Sequence, residues 1–149
     1  MSSHTSARSS HVFLAVALAD LEGLHEFIRE ACKTGNPQDW MDVRLAVEEV
    51  FTNIYTHGYG HDEGWVEVML GRSSNRIEVE ISDEGPLFDP ATAVPPDLEA
   101  DLMEREIGGL GWHFVRQVMD EVSWVPREGG GNTYRLVKLA GNDTSSIDS

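Results

Sequence analysis

The chain has 149 residues, of which 40% are hydrophobic, so it can bury the core of one ordinary domain. Its 26 acidic and 11 basic side chains give a formal net charge of −15. Nucleic acids and anionic lipids attract cationic surfaces, so this charge argues against both as partners and favours a neutral or basic protein. The single cysteine excludes an internal disulfide framework. The apolar run 12–18 is too short for a membrane span and lacks the flanks of a signal peptide, so we expect a cytoplasmic protein.

The first half of the chain predicts one strand and two helices. The polar ends 1–10 and 141–149 are interpreted as tails of a single domain whose ordered core covers about 10–140. Apolar residues at strand length, and then at helical spacing, indicate three elements: a strand over 11–19, a helix over 20–35 capped by Asp20, and a second helix over about 39–57.

The second half predicts a hairpin, a lid, a helix and two strands. Alternating apolar residues form the hairpin over 65–71 and 76–82. The stretch 84–107 is rich in proline and acidic residues and shows little periodicity, which favours a loop or lid. The remaining elements are a helix opened by Gly108–Gly111 that runs to Val122, and strands over 122–126 and 133–140. This order predicts an α+β fold with helices layered on one face of a mostly antiparallel sheet.

The second helix carries the first candidate site. Glu49, Asn53 and His57 form an i, i+4, i+8 row beside the apolar stripe centred near Val47, whereas Glu48 points to the other flank. Polar side chains at the edge of a buried face can look into a cleft while the helix stays anchored. The alternative is an ordinary solvated helix face.

Three further signals follow in the chain. Asp83-Glu84-Gly85 ends a predicted strand, where a carboxylate can face a ligand or simply form a turn. The glycines of 108–111 precede a helix and can offer backbone N–H groups to an anion, or serve as a hinge. They do not form a Walker A loop, because no Lys-Ser/Thr follows. Gly131-Asn132-Thr133 leads into the last strand.

These signals occur together in the segments LAVEEVFTNIYTHGYG, ISDEGPLFDP, IGGLGWHFVRQVMDEVSW and GGGNTYRL. In this order and spacing they resemble the GHKL (Bergerat-fold) ATP-binding family, and within it the anti-sigma factor serine/threonine-protein kinases. The likeness covers about residues 10–140. It implies a two-layer α+β sandwich: a mixed, mostly antiparallel sheet with three helices on one face and an ATP lid. ATP and Mg²⁺ are the implied cofactors.

The resemblance also implies roles for the residues that match the motifs of the family. Glu49 would be the general base for the attacking serine hydroxyl, Asn53 would ligate Mg²⁺, and His57 matches the polar position that closes this box. Asp83 would accept a hydrogen bond from the exocyclic amine of adenine, and Gly85 would leave room for the base.

The remaining implied contacts lie further along the chain. Gly109, Leu110 and Gly111 would bind the nucleotide, with the glycines presenting backbone donors to the phosphates, and Thr133 would support adenine beside Asp83. Arg105 is the one cation in the acidic part of the lid. It would assist at the γ-phosphate, or form a surface ion pair with Asp101.

The function implied by the resemblance is an ATP-dependent protein serine/threonine kinase. It would phosphorylate a small antagonist of the anti-anti-sigma type and bind a sigma factor or an analogous regulator, as a homodimer. The alternative is a nucleotide-gated binding module that transfers no phosphate. The chain departs from the broader family after Gly85, where Pro86, Leu87 and Phe88 replace a second glycine.

Overall fold

The computed structural model describes residues 9–33, 35–92 and 109–139. The elements in these ranges, numbered in chain order, are β1 Ser9–Ala15, α1 Leu21–Cys32, α2 Pro37–Asn53, β2 Val66–Ser73, β3 Arg76–Asp83, α3 Gly109–Val118, β4 Glu121–Pro126 and β5 Asn132–Leu139. Ser9 and Ser10, the last residues of the predicted N-terminal tail, belong to β1. The rest of the predicted tails and most of the predicted lid, including Arg105, lie outside the described residues. Within those residues, no helix combines the length and the apolar character that crossing a membrane requires.

The described strands form one sheet in the order β1-β2-β3-β5-β4, and each neighbouring pair is antiparallel. The expected α+β class is therefore confirmed, with an antiparallel rather than a mixed sheet among these strands. β2 and β3 form the predicted hairpin around a turn at Ser74 and Asn75. Between β3 and β5, the register sets Ser82 opposite Thr133 and Asp83 opposite Asn132. This long-range pairing builds the end of the sheet where the candidate site lies.

The helices and the core share one face of the sheet. Alternate strand residues pack into the same buried cluster as residues of all three α-helices; the strand contribution includes Val66, Val68, Leu70, Ile77, Val79, Ile81, Tyr134 and Leu136. The residues between them face outward, such as Met69 and Glu80. Full burial of an aliphatic side chain contributes about 1.5–3 kcal/mol, so this face supplies the main driving force for folding.

The starts of the first two helices differ from the predictions. A 3₁₀ turn, Leu18–Asp20, precedes α1, and the Asp20 carboxylate accepts hydrogen bonds from the backbone N–H groups of Val16 (2.8 Å) and Ala17 (3.1 Å) instead of capping α1. α2 begins at Pro37, because the Asn36 side chain accepts a hydrogen bond from the Gln38 N–H at 2.8 Å. An N-cap asparagine followed by proline at the first helical position is a strong start signal.

The end of the second helix is a π-helical turn. α2 stops at Asn53, and Ile54–Gly58 continues with the wider i→i+5 pattern, closed by the Tyr59 N–H on the Ile54 carbonyl oxygen at 2.8 Å. The hydroxyl of Tyr55 donates to the Gly64 carbonyl oxygen at 2.5 Å and anchors the loop that follows. Such turns occur mostly as local bulges, often at functional sites.

The third helix is shorter than predicted. α3 ends at Val118, so Glu121 and Val122 belong to β4. Asp120 accounts for the early exit, because its N–H donates to the Val137 carbonyl oxygen at 2.8 Å and its carboxylate accepts from the Leu139 N–H at 2.7 Å. These bonds turn the chain from α3 directly into the sheet.

Candidate functional site

One end of the candidate site is a polar pair on α2. Glu49 is half-buried, and the Asn53 Nδ2 donates a hydrogen bond to the Glu49 carbonyl oxygen at 2.9 Å. Among the described residues, the Asn53 Oδ1 has no partner, so it is free to bind a ligand. Burial, followed by the negative charge of Glu48, raises the pKa of the Glu49 carboxyl. A carboxylate with a raised pKa is a stronger base.

The start of α3 lies directly against this pair. A Cβ atom on Gly111 would overlap the Glu49 Oε1 and would lie 2.7 Å from the Asn53 Nδ2. A side chain at this position would therefore displace Glu49 and Asn53 from the places they hold. The glycine motif and the α2 row, which are far apart in the sequence, therefore meet in the fold.

Gly109 and Gly111 of this motif lie inside the helix rather than before it. α3 begins at Gly109, so Gly109, Leu110 and Gly111 form its first turn. The first backbone N–H groups of a helix have no partner within the helix, and the macrodipole places partial positive charge there. This turn can therefore bind an anion next to Glu49 and Asn53.

The other end of the site is the carboxylate of Asp83 at the end of β3. Asp83 is 2% exposed, and its Oδ1 accepts hydrogen bonds from the Gly85 N–H at 2.7 Å and the Asn132 Nδ2 at 3.0 Å. Burial raises the pKa of this carboxyl, while the hydrogen bonds from Asn132 and Gly85 oppose the rise. Within the described part of the chain, the Oδ2 accepts no hydrogen bond and is available to a donor.

Two glycines shape the space around Asp83. A Cβ atom on Gly85 would lie 3.3 Å from the Asp83 Oδ1, so a side chain there would crowd the carboxylate. Gly131 has a φ of +107°, and a Cβ atom there would overlap the Asp83 carbonyl oxygen and lie 2.6 Å from the Glu84 Cα. The chain entering β5 can pass the end of β3 at this distance only as glycine.

Tyr59, which the sequence analysis did not single out, joins α2 to the end of β3. Its hydroxyl donates to the Trp65 carbonyl oxygen at 2.7 Å and accepts from the Glu84 N–H at 3.0 Å. The π-helical turn carries Tyr59 into this position. A tyrosine two residues after a predicted helix end gave no signal, because its partners, Trp65 and Glu84, belong to two separate loops.

Asn132 is the second residue that sequence reasoning missed, although it lies within a motif that was noted. It is 2% exposed and pairs with Asp83 across the sheet. Thr133, which was expected beside Asp83, pairs with Ser82 instead, with 3.1 Å between the two hydroxyl oxygens. Since successive strand residues face opposite sides, Thr133 lies on the face away from the Asp83 carboxylate.

The remaining predicted residues are not joined to this arrangement. His57 is exposed on the π-helical turn. Arg105 falls outside the described residues, so its two predicted roles stay predictions. In the described ranges, no three histidine, cysteine or acidic side chains form a metal-binding cluster.

The donor set nevertheless fits a magnesium nucleotide. Mg²⁺ prefers oxygen ligands and takes few of them from the protein, so one amide oxygen such as the Asn53 Oδ1 is consistent with its chemistry. Gly111, at the start of α3, lies so close to the Asn53 amide that a Cβ atom there would meet it. A partial positive charge next to a metal ligand suits phosphate groups, while a buried acceptor at Asp83 suits the amine of a base.

The fold and site together define a two-layer α+β domain with a polar site spanning one end of α2, the start of α3 and the end of β3. The model of the histidine kinase-like ATPase domain matches residues 14–138. The chain therefore belongs to the family of histidine kinase-like ATPase domains, and the resemblance to the GHKL family is confirmed.

Relatives extend this family assignment. The chain is 30% identical over 102 residues to an anti-sigma F factor of Thermoanaerobacter sp. (strain X514), a match that covers 68% of this chain and 71% of that protein. It is 30% identical over 95 residues to the serine-protein kinase RsbW of Bacillus cereus (strain AH820), covering 61% of this chain and 59% of that protein.

A solved structure supports the fold. The RsbU and RsbW domains of Rv1364c from Mycobacterium tuberculosis superpose with a TM-score of 0.56 at 12% identity, over 93% of this chain and 35% of that chain. At this identity the likeness concerns the architecture alone.

Proposed function

We propose that the protein is an ATP-dependent serine/threonine kinase and anti-sigma factor that phosphorylates a small antagonist of the anti-anti-sigma type. The contact of Gly111 with Glu49 and Asn53 carries this proposal. This contact brings together three groups: the start of a helix, which can bind phosphate, an amide oxygen, which can bind a metal ion, and a carboxylate, which can accept a proton. Phosphoryl transfer requires mainly this kind of positioning and charge neutralisation.

Asp83 recognises the base in this proposal. The exocyclic amine of adenine donates a hydrogen bond to the Asp83 Oδ2, since the Oδ1 is already occupied by Gly85 and Asn132. Gly85 leaves the space in which the ring lies. A hydrogen bond to a charged, buried acceptor contributes about 1.5–3 kcal/mol.

The phosphates lie at the start of α3. Gly109, Leu110 and Gly111 direct backbone N–H groups at them, and the Asn53 Oδ1 ligates Mg²⁺. When bound, Mg²⁺ neutralises phosphate charge, which a protein of net charge −15 could not do with its own surface.

Glu49 acts as the general base. It accepts the proton of the partner's serine hydroxyl as that oxygen bonds to the γ-phosphorus and the bond from phosphorus to the bridging oxygen breaks, releasing ADP. The raised pKa of Glu49 favours proton acceptance, and Asn53 holds the neighbouring helix surface fixed through its bond to the Glu49 carbonyl oxygen.

The partners follow from the relatives. One relative is named an anti-sigma factor and another a serine-protein kinase, which supports a sigma factor or analogous regulator and a serine-bearing antagonist as partners in the cytoplasm. A homodimer is supported by β1 at the edge of the described sheet, where Val12 and Leu14 are 57% and 62% exposed, and by Val16 just beyond it, which is 55% exposed. An exposed apolar strip on an edge strand is a typical protein contact.

The test is phosphoryl transfer from γ-labelled Mg-ATP to candidate antagonists by wild type and Glu49→Gln. Loss of the base should slow transfer by about 10²–10⁴-fold, while Mg-ADP affinity stays within about threefold. Glu80→Gln makes the same charge change on the outward sheet face and should alter neither quantity.

The outcomes separate two functions. Transfer that survives Glu49→Gln would contradict the role of this base. Tight nucleotide binding without transfer to any antagonist would favour the second candidate, a nucleotide-gated binding module that uses the same pocket. Absence of nucleotide binding by the folded wild type would overturn both.

A further inference from the structure

The side chain of Asn132 makes four hydrogen bonds at the end of the sheet. Its Oδ1 accepts from the Phe88 N–H at 2.9 Å and from the Trp124 Nε1 at 2.7 Å. Its Nδ2 donates to the Asp83 Oδ1 at 3.0 Å and to the Pro86 carbonyl oxygen at 2.9 Å. One buried amide thus joins β3, β4 and the turn that follows Gly85.

The chemistry of the partners fixes the orientation of this amide. The Phe88 N–H and the Trp124 indole N–H can only donate, whereas the Pro86 carbonyl oxygen can only accept. If the amide were flipped, its NH₂ group would face the two donors and its oxygen would face the two acceptors. Both hydrogens and two acceptor sites of Asn132 are in use, and a fully satisfied buried network of this kind holds its members rigidly.

We propose that Asn132 is the positioning residue that holds Asp83 and the turn 85–88 in one arrangement, so that a single side chain links recognition of the base to the path of the chain beyond Gly85. The inference rests on the proposed function, because it takes Asp83 as the acceptor for the base. It adds a residue to which the sequence motifs assigned no role.

Other residue types could not replace Asn132. Serine or threonine offers one hydrogen and a single oxygen, so it cannot supply two donors. An ionised aspartate keeps the acceptors for Phe88 and Trp124 but loses both donors. Phe88 makes two other contacts. Its carbonyl oxygen accepts a hydrogen bond from the Tyr134 hydroxyl at 3.3 Å, and the centre of its ring lies 6.2 Å from the centre of the Trp112 ring. These contacts do not reach Asp83.

Several charged and titratable groups surround the Asp83 carboxyl. Glu84 follows it in the chain, and Arg127 faces it from the loop after β4. Three tyrosines also face it: Tyr55 in the π-helical turn, Tyr59 at the end of that turn and Tyr134 in β5. Burial raises the pKa of Asp83 despite Asn132, Gly85 and Arg127, so the wild type should bind nucleotide less tightly as the pH falls through that pKa.

Asn132→Asp should reverse this dependence. Two carboxyl groups at hydrogen-bond distance share one proton, and that proton can replace the amide hydrogen between them. At higher pH both carboxyl groups ionise and repel each other, so the position of Asp83 is lost. The variant should therefore bind nucleotide less tightly as the pH rises.

The measurement is the Kd of Mg-ATP and Mg-ADP by calorimetry between about pH 5.5 and about pH 8.5, because one of two adjacent carboxyl groups loses its proton at a raised pKa. The nucleotide phosphates titrate in the same way in both measurements, so their effect disappears when the Kd of the variant is divided by the Kd of the wild type. We expect this ratio to grow by about tenfold or more with rising pH, a change that general loosening of the fold would not produce.

Asn75→Asp is the matched control. It adds the same charge at the exposed turn between β2 and β3, away from Asp83, and its ratio should stay flat. A flat ratio for Asn132→Asp, with Asp83→Asn still impairing binding, would overturn this inference and leave the proposed function standing. If Asp83→Asn binds as the wild type does, the proposed function fails, and this inference with it.

A second measurement applies if Asn132→Asp does not fold. In the wild type, NMR hydrogen exchange should find both the Phe88 amide and the Trp124 indole N–H strongly protected, because both donate to a buried oxygen. Slow exchange at both positions supports the inference. Fast exchange at either position in the folded protein would overturn it.

Discussion

The two ends of the candidate site are built in different ways. At the phosphate end, Glu49 and Asn53 are one turn apart on α2, and the first turn of α3, Gly109 to Gly111, packs against them through Gly111. At the base end, Asp83, Asn132 and Gly131 belong to strands that meet through long-range pairing. Local spacing therefore defines the first end, and sheet register defines the second. A side chain in place of glycine should therefore disturb the fold at the second end, where it meets backbone, and mainly the chemistry at the first end, where it meets side chains.

Gly131→Ala should have the largest effect and tests the base end. The new methyl group would overlap the Asp83 carbonyl oxygen, which is backbone and cannot swing away, and the φ of +107° is strained for alanine. We expect the free energy of unfolding to fall by about 4 kcal/mol or more, measured by denaturant titration.

The control for this substitution lies one residue earlier. Gly130 has a φ of +116°, but a Cβ atom there would meet nothing within 4 Å. Gly130→Ala should therefore show the cost of the backbone angle alone, about 1–3 kcal/mol. Equal losses for the two variants would show that the contact with β3 contributes nothing.

Gly111→Ala should separate chemistry from stability at the phosphate end. The methyl group would displace the side chains of Glu49 and Asn53, which are able to move, while alanine favours the helix by about 1 kcal/mol. Stability should change little. A displacement of the order of 1 Å can cost about a hundredfold in rate, so phosphoryl transfer should fall by about that factor.

Gly23→Ala on α1 provides the comparison, because it gives the same gain in helix propensity and contacts only the Phe13 ring. Its transfer rate should match that of the wild type. If Gly111→Ala retained full transfer, the close packing of α3 on the α2 pair would have no part in the reaction.

The sequence predicted the placement of Glu49 and Asn53 on one helix for a physical reason. The i, i+4 spacing of Glu49 and Asn53 is a property of one helix and needs no knowledge of tertiary contacts. The π-helical turn was missed because an i→i+5 turn leaves no distinct spacing in the sequence, and with it the role of Tyr59.

The base end was predicted less well, again for a physical reason. Asp83 was recognised as a strand-end carboxylate and Thr133 was expected to support adenine beside it, but Asn132, which donates to Asp83, was given no role. A shift of one residue along a strand reverses the face of the side chain, and only the register of β3 against β5 decides it. That register is set by contacts between residues far apart in the chain.

Asp83→Asn should weaken nucleotide binding without loss of stability. The amide oxygen of asparagine can accept the bonds from Gly85 and Asn132, while its NH₂ group replaces the Oδ2 that would accept from the base. We expect a loss of about 1–3 kcal/mol in binding free energy by calorimetry.

The stability of the same variant gives a pH test. Because the pKa of Asp83 is raised above its unfolded value, the ionised carboxylate lowers the stability of the wild type above that pKa. Asp83→Asn should be as stable as the wild type or more so at neutral pH, and the difference should shrink as the pH falls through the pKa of Asp83. A variant that is less stable at neutral pH would contradict this assignment.

Trp124→Phe should have the smallest effect and tests how far the base end depends on a single outer bond. It removes the indole N–H that donates to the Asn132 Oδ1, but the bonds of Asn132 to Phe88, Pro86 and Asp83 remain. We expect the free energy of unfolding to fall by about 1 kcal/mol, with nucleotide affinity changed by less than about threefold.

Trp40→Phe is the matched control for this loss, because the Trp40 indole N–H is buried without a hydrogen-bond partner among the described residues. Removing an unpaired donor should cost less than removing a paired one. If Trp124→Phe instead weakened nucleotide binding as strongly as Asp83→Asn, the orientation of Asn132 would depend on Trp124. Each hydrogen bond of the base end would then be essential for binding.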